Sequence, residues 1–369
     1  MRDKLIGKLR CIEAAILVFF IIHGGIFGAG VNILVKVAGE DMWLACLIGC
    51  ILGFIPFYSY ISISNNHPDK NIFEIIESIF GKVIGKFLVL LITLFAISFI
   101  LFYFWNLTNL ISSQYLYNTP QIFIYIIFAI PLIYILSKGL KVALQSIIII
   151  FIITAVIYII TFFSLFPQSN FLNLMPILKD GILPVLEAAL GFIAYSITPL
   201  LFIGSIPVHY YEDRKNYKKH MTIAYIISCL AVFAIPYLVI TIFGIDLVQL
   251  YQYPEFQILK RVSIGGFIER IESTLSIQWI FELFVLITIG MYFIKQGIYH
   301  VFYIKNKKVK AVLNFIFLVT SIIGSSIIFR NNTIANQFSV KFYPYVCYGV
   351  LVFFIILYII AGLKKKRKS

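Results

Sequence analysis

The stretch HGGIFGAG, from His23 to Gly30, lies in the middle of an apolar segment and contains four glycines within eight residues. Apolar residues precede it over positions 14–22 and follow it over positions 31–35. Glycine at an interior helix position costs about 1 kcal/mol relative to alanine. A membrane helix weakened at its midpoint is a candidate for a functional interruption, so this stretch bears directly on the type of fold.

The composition places the chain in the membrane. Of its 369 residues, 61% are hydrophobic and only 12% are charged, whereas a soluble domain carries about 25% charged residues. Several uncharged stretches reach the roughly 20 residues that are needed to cross a bilayer. The sequence therefore predicts an all-α polytopic membrane protein, with a single transmembrane domain over residues 1–369.

Ten membrane spans are predicted, and the charge of the loops supports this number. Basic residues concentrate at both ends and in every second loop, as the positive-inside rule requires if both termini are cytoplasmic. The same rule accounts for the net charge of +14 without a nucleic-acid partner. The predicted spans are Ile12–Val37, Met42–Ser62, Val83–Ile111, Gln121–Leu136, Val142–Phe166, Pro184–Val208, Met221–Ile245, Ser273–Val301, Ala311–Phe329 and Tyr343–Leu363.

The glycine cluster in span one has two interpretations. Non-helical backbone is tolerated at membrane depth only where it is buried in protein or lines a cavity. A break there exposes N–H groups that suit a carboxylate and carbonyl groups that suit an ammonium ion or a small cation. The alternative is close helix packing, because Gly24 and Gly28 have the four-residue spacing of a helix-contact motif.

Span six favours the first interpretation. Gly191 and Pro199 flank the residues FIAYSIT, and a proline inside a helix removes a backbone donor and clashes with the preceding turn. The alternative is a simple proline kink that is repaired by serine and threonine. Transporters with inverted repeats have interrupted helices at matching positions of their two halves. We therefore predict two inverted five-helix repeats, over residues 1–166 and 184–363, with broken helices 1 and 6.

Two resemblances support this prediction. The glycine-rich first span, the broken sixth span and the span count resemble the amino acid–polyamine–organocation transporter superfamily. The segment before span eight, residues 252–285, resembles the signature of the spore germinant receptor B-subunit family over a chain of similar length. The residues that carry this second resemblance are Tyr253, Pro254, Gly266, Phe267, Arg270 and Trp279.

The resemblance implies a function, partners and a location. The chain would be the amino-acid-sensing subunit of a germinant receptor in the spore inner membrane, with a free L-amino acid as its ligand. Its partners would be an A-subunit membrane protein and a C-subunit lipoprotein. Two alternatives stay open, an amino-acid permease and a membrane scaffold that binds no ligand.

In the superfamily fold the two broken helices hold the carboxylate and the amine of the ligand. Span one is expected to contact the carboxylate, and span six the amine and the side chain. Tyr103 and Asn106 of span three are added, as a third-span aromatic faces the pocket in that fold, although a lipid-interface position is the alternative. The expected residues of spans one and six are Gly24, Gly25, Ile26, Gly28, Ala194, Tyr195, Ser196 and Thr198.

Ionisable residues inside spans are functional candidates. Glu187 lies at a helix start and is expected to complement the helix dipole, and Lys295 is expected to extend its amine to the interface. Glu282 has no such explanation, and packing is the favoured role for His23. We find no phosphate-binding loop, HExxH motif or paired carboxylates. No enzymatic activity, catalytic residue, metal or cofactor is therefore predicted.

The loop 246–272 is predicted to contain an amphipathic segment on the outer face. It mixes basic and acidic residues with apolar positions. Two roles stay open for it, covering the vestibule of the ligand site and docking a partner subunit.

Overall fold

The structure, a computed structural model, describes residues 9–262 and 276–366. Within these ranges the chain is almost entirely helical. The α-helices are α1 Cys11–Gly25, α2 Val31–Ala38, α3 Met42–Asn66, α4 Ile72–Phe80, α5 Lys82–Gln114, α6 Gln121–Lys138, α7 Leu140–Leu165, α8 Ile182–Phe192, α9 Tyr217–Val248, α10 Pro254–Gln257, α11 Ile277–Val301, α12 Lys307–Ile328, α13 Asn332–Gln337 and α14 Tyr343–Lys366.

In the described part of the chain, nine helical segments are long and apolar enough to cross a membrane. The first apolar helix, α1, has only 15 residues, because a five-residue π-helix, Ile26–Gly30, separates it from α2. Together α1, the π-helix and α2 provide the predicted first crossing. The chain is thus the polytopic helical membrane protein that the sequence predicts, and the helices lie close to the predicted spans.

Helix α4 was not predicted. It lies in the loop between the second and third spans, and Asn71 and Glu74 cap its start reciprocally through two hydrogen bonds of 2.9 Å. Its apolar face, which includes Phe73 and Ile76, is buried against α5. A search for apolar stretches long enough to cross a membrane does not detect an amphipathic helix of this length.

The helices differ strongly in how much of their surface the protein covers. Within the crossing Ile182–Ser205, 83% of the residues of the most apolar window are buried in the protein. In the corresponding window of Leu144–Gln168, only 11% are buried. Helices α1, α8 and α11 form the centre of the bundle, whereas α7, α12 and α14 lie at its periphery. The two interrupted crossings are therefore inner elements.

The N-terminal segment and two basic loops lie on one side of the bundle. Leu9 pairs with the segment before α9 through a hydrogen bond of 2.9 Å to Tyr210 and one of 2.8 Å from Glu212. His209 of the same segment donates its N–H to the Pro68 carbonyl at 2.9 Å. An even number of crossings between these segments places them on the same side, as the alternation of loop charge predicts.

Candidate functional site

The first interruption is a π-helical turn. Ile26 (φ −77°, ψ −31°) and Gly30 (φ −66°, ψ −46°) keep right-handed helical dihedral angles, and the Ile26 N–H donates to the His23 carbonyl. The interruption lies where the glycine cluster predicts it, but it is a widened turn instead of an open gap. A π-turn shifts the hydrogen-bond register and occurs frequently at functional sites.

Side chains of α5 satisfy two carbonyl groups of this turn. The Tyr103 hydroxyl donates to the Gly25 carbonyl at 2.6 Å, and the Asn106 amide donates to the Phe27 carbonyl at 3.1 Å. Tyr103 and Asn106 are both buried, so neither lies at the lipid interface. The third-span residues thus hold the first interruption in place.

The second interruption has two parts. Helix α8 ends at Phe192, a π-helix covers Ile193–Ile197, and a 3-10 helix continues from Thr198 to Ser205. Pro199 lies at the start of the 3-10 helix, where its missing N–H cannot extend the α-helical pattern. The Thr198 hydroxyl donates to the Ile193 carbonyl at 3.1 Å.

The two interruptions touch each other through backbone. A Cβ atom at Gly25 would lie 2.8 Å from the Ser196 Cα and 2.9 Å from the Tyr195 carbonyl carbon, and it would overlap the Tyr195 carbonyl oxygen. A Cβ atom at Gly24 would lie 2.9 Å from the Glu282 carbonyl oxygen on α11. Gly24 and Gly25 therefore both allow close backbone approach, as the packing interpretation of the cluster predicts, and Gly25 does so where the two interrupted segments meet.

The polar groups near this contact are only partly satisfied. The Tyr195 hydroxyl donates to the Ser339 carbonyl at 2.6 Å. The hydroxyl group of Ser196 is buried and has no hydrogen-bond partner among the described residues, whereas the Tyr343 hydroxyl lies beside the Cys347 thiol. Buried polar groups normally find a partner in the protein or in bound water. The Ser196 hydroxyl lies where the two interrupted helices meet, so it is available to bind another polar group.

The structure brings most of the predicted residues to one region. Gly25, Tyr103 and Tyr195 meet directly, and Asn106 reaches the first interruption. Ile26 and Gly28 lie within the first π-helix, and Ala194 and Ser196 within the second. Thr198 bonds within its own segment, and Gly24 faces α11. Their contact with a ligand stays a prediction.

A third interruption was missed. A π-helix, Phe338–Phe342, precedes α14, and it supplies the carbonyl that Tyr195 binds. The Tyr195 and Tyr343 rings are packed with their centroids 4.8 Å apart. The sequence FSVKF contains neither glycine nor proline, so it carries no local signal of an interruption.

Part of the outer loop closes over the first interruption. The Asn109 amide donates to the Tyr253 hydroxyl at 2.7 Å, and that hydroxyl donates to Asn106 at 3.4 Å. Burial raises the pKa of the Tyr253 phenol above its usual value, so the group keeps the proton that it donates. The described part of the loop is thus held against α5 next to the first interruption, whereas Gly266, Phe267 and Arg270 lie outside the described residues.

The remaining ionisable candidates differ in their surroundings. Glu187 is exposed on α8, but it lies beyond the first turn of a helix that begins at Ile182, so the expected role at the helix start is wrong. The Lys295 amine donates to the Leu136 carbonyl at 3.0 Å. His23 is buried and stacks on Phe19 with ring centroids 3.9 Å apart, in agreement with a packing role. Over residues 9–262 and 276–366, no group of three or more potential metal ligands is found.

Solved structures with the same fold are transporters. A manganese transporter of Eremococcus coleocola aligns with a TM-score of 0.65 and 12% identity, over 96% of this chain and 78% of its own. A Na⁺-coupled sialic acid symporter aligns with a TM-score of 0.68 and 14% identity, over 98% of this chain and 80% of its own. At such identities the likeness concerns the fold alone, and it confirms the predicted transporter-like architecture.

Sequence relatives are spore germination proteins. Spore germination protein KB of Bacillus subtilis (strain 168) is 27% identical over 93% of this chain and 93% of its own length. Spore germination protein XB of Bacillus anthracis is 22% identical over 90% of this chain and 91% of its own. The relatives and the solved structures are germination proteins and transporters, not enzymes. The family profile described as "Spore germination protein" matches residues 14–334, and the chain therefore belongs to this family of integral membrane proteins.

Proposed function

We propose that the protein is the amino-acid-sensing subunit of a spore germinant receptor. A free L-amino acid binds between the two interrupted crossings. The observation that carries this proposal is the direct backbone contact between Gly25 and Tyr195, with Tyr103 held across it. Interrupted helices place the partial charges of their ends at mid-membrane, where they bind the charged groups of a ligand.

The polar groups of the site match the two charges of an amino acid. The carbonyls of Gly25 and Phe27 are suited to the ammonium group, and in the closed arrangement Tyr103 and Asn106 take the place of that ligand. The N–H groups at the start of α2, the helix Val31–Ala38, become available to the carboxylate where the preceding π-helical turn opens. Ligand binding would then exchange protein hydrogen bonds for ligand hydrogen bonds and alter the contact between the two crossings.

We propose that this contact joins two five-helix repeats, residues 1–166 and 184–363. A ligand that favours one arrangement of the repeats shifts the population toward it, and subunits bound to the repeats respond to that shift. The partners are an A-subunit membrane protein and a C-subunit lipoprotein. The complex lies in the spore inner membrane, with both termini of this chain in the cytoplasm, because the basic loops fall on one side.

A second candidate function is an amino-acid permease. It is supported by the transporter fold of the solved relatives, one of which is a Na⁺-coupled symporter. A permease and a sensor use the same site, and they differ in whether the bound amino acid is released on the other side of the membrane.

The test measures binding and uptake on one preparation. Purified protein is reconstituted in liposomes and given a panel of labelled free L-amino acids. Saturable binding without accumulation is expected for the sensor. Accumulation of the amino acid inside the vesicles would instead support the permease function. Absence of binding by a folded protein would leave the scaffold alternative.

A matched pair of variants tests the location of the site. Tyr103→Phe removes the hydroxyl that bonds Gly25, whereas Tyr134→Phe removes a hydroxyl from a tyrosine that is 56% exposed on α6. Altered binding is expected for Tyr103→Phe alone. Equal binding by both variants and the wild type would remove the first interruption from the site.

A further inference from the structure

The carboxyl group of Glu282 is buried within the membrane-spanning helix α11. Its exposed fraction is 0%. Oε1 accepts a hydrogen bond of 3.2 Å from the Gln278 amide, and Oε2 has no hydrogen-bond partner among the described residues. An isolated ionised carboxylate is very costly in such surroundings. The group must therefore be neutralised, and no basic side chain of the described residues forms an ion pair with it.

A cavity lies one helical turn from Glu282, which is not itself part of its lining, and reaches α11 at Gln278 and Trp279. It has a volume of about 50 Å³, and its polar lining comes from Tyr158, Thr161, Glu255 and Gln278. One water molecule needs about 10–15 Å³ of such space, so the cavity has room for roughly three to five. Gln278 lines the cavity and also donates to Glu282, which links the carboxyl group to a space of water size.

The position of Glu282 ties it to the first interrupted crossing. Its backbone carbonyl is the group that Gly24 approaches, because a Cβ atom on that glycine would lie 2.9 Å from the carbonyl oxygen. Gly24 precedes the residue that contacts the second interruption. Any separation of α11 from α1 would open this contact beside Glu282.

Several titratable groups face this region from neighbouring elements. Tyr158 of α7 lies within electrostatic range of Glu282 and of Cys46 on α3, and its ring contacts the His23 ring of α1 at a centroid distance of 5.8 Å. Glu255, from α10, lines the cavity. None of these groups is a lysine or an arginine that could neutralise an ionised Glu282.

Among the described residues, the remaining elements packed against α11 bring no charged group that pairs with Glu282. On α5, the Tyr103 hydroxyl is engaged with Gly25, and α6 contacts α11 through the rings of Phe128 and Phe284. Helix α4 presents Glu77, which pairs with His300. His300 lies at the other end of α11, about 27 Å along the axis from Glu282.

We propose that Glu282 is a proton-binding site, separate from the amino-acid site. The carboxyl group holds a proton on Oε2 while α11 is packed against α1. When that contact opens, the O–H bond breaks and the proton passes to a water molecule of the cavity, which leaves the carboxylate on Glu282. Because the same contact borders the first interruption, the proton favours the closed arrangement of the crossings.

Carbodiimide labelling of the wild-type protein tests this. Dicyclohexylcarbodiimide adds to a protonated carboxyl group in an apolar environment and forms a stable acylurea that retains all atoms of both reactants. Full-length protein in liposomes is labelled over a pH series, with and without sodium ions, and the modified peptides are identified by mass spectrometry. Glu187, an exposed carboxyl group on another spanning helix, is the internal control.

We expect labelling at Glu282 and not at Glu187, without protection by sodium. The labelling should fall about tenfold for each pH unit once the carboxyl group loses its proton. Protection by sodium at constant pH would overturn the proposal in favour of a sodium site. Labelling of Glu282 that does not change with pH, or none at all, would also overturn it.

A second measurement does not depend on access of the reagent. The infrared spectrum of the wild type should contain a protonated-carboxyl band that Glu282→Gln lacks and Glu187→Gln retains. A spectrum of folded Glu282→Gln with an unchanged band would contradict the proposal. Neither experiment uses amino-acid binding, so failure of the proposed sensor function would leave this result interpretable.

Discussion

Gly25→Ala is the sharpest test of the contact between the interrupted crossings. The added Cβ would lie 2.8 Å from the Ser196 Cα and 2.9 Å from the carbonyl carbon of Tyr195, and it would overlap the carbonyl oxygen of that residue. The two distances are about 1 Å below an ordinary carbon contact. All three atoms belong to the backbone, so no side-chain rotation relieves the overlap, and the two crossings must separate.

The loss of folding stability in Gly25→Ala follows from the rigidity of this backbone contact. Overpacking a core typically costs about 1–3 kcal/mol, and the backbone overlap places Gly25→Ala at the upper end. Since 1.4 kcal/mol corresponds to a factor of ten, about 3 kcal/mol lowers the ratio of folded to unfolded protein by roughly a hundredfold. We expect this loss as a lower thermal midpoint of the purified protein, together with altered amino-acid binding, while membrane insertion is retained.

The control is a glycine in an open environment. A Cβ atom at Gly349 of α14 meets no atom within 4 Å, and alanine is the better helix former. Gly349→Ala should therefore bind and unfold as the wild type does, or be slightly more stable. Wild-type binding and stability of Gly25→Ala would refute the contact between the two interruptions.

Three further predictions concern single hydrogen-bonding groups. Tyr103→Phe removes the hydrogen bond to the Gly25 carbonyl, which is worth about 1 kcal/mol, and this loss should lower the thermal midpoint in detergent. Tyr253→Phe removes the hydroxyl that bonds to Asn106 and Asn109 of α5. The loss of about 1 kcal/mol of hydrogen-bond energy should raise hydrogen exchange over residues 252–262 about fivefold. Hydrogen bonds from Asn216 hold the pKa of Asp213 below its usual value. The carboxylate of Asp213 therefore supports the start of α9 at neutral pH, and this support is lost as the pH falls through the lowered pKa. Hydrogen exchange at the start of α9 should increase under acid conditions.

Each of these predictions has an outcome that would contradict it. Tyr134→Phe, which alters an exposed hydroxyl, should leave the thermal midpoint unchanged, and an equal effect of Tyr103→Phe would show that the bond to Gly25 carries no stability. Unchanged exchange in Tyr253→Phe would mean that other contacts hold the loop. For Asp213, an Asp213→Asn variant should exchange as the acidified wild type does, and a variant with wild-type exchange at neutral pH would exclude this role.

The crossings are the part of the fold that the sequence predicts well. The fifth predicted span, Val142–Phe166, corresponds to α7, Leu140–Leu165, and the fourth, Gln121–Leu136, to α6, Gln121–Lys138. The bilayer sets the length of an apolar segment, and each segment must satisfy its own backbone within the membrane. These requirements are local, so they can be read from one stretch of sequence at a time.

The candidate site is predicted in part. The glycines and Pro199 mark both interruptions, because those residue types weaken a helix wherever they stand. The third interruption, Phe338–Phe342, has no such residue, and its geometry depends on the Tyr195 hydroxyl that binds Ser339. Tyr253 was noted only as part of a family signature, since its partners on α5 are distant in sequence.

The sequence alone determines that this is a polytopic helical membrane protein, that its basic residues fall in every second loop, and where two of its crossings are weakened. Only the tertiary structure decides what those features do: Gly24 faces α11 while Gly25 meets Tyr195, and Glu282 loses all contact with solvent. The physical reason is the range of the interactions. Length, hydropathy and helix weakness are properties of neighbouring residues, whereas burial, close backbone approach and hydrogen-bond partners arise only when distant segments pack together.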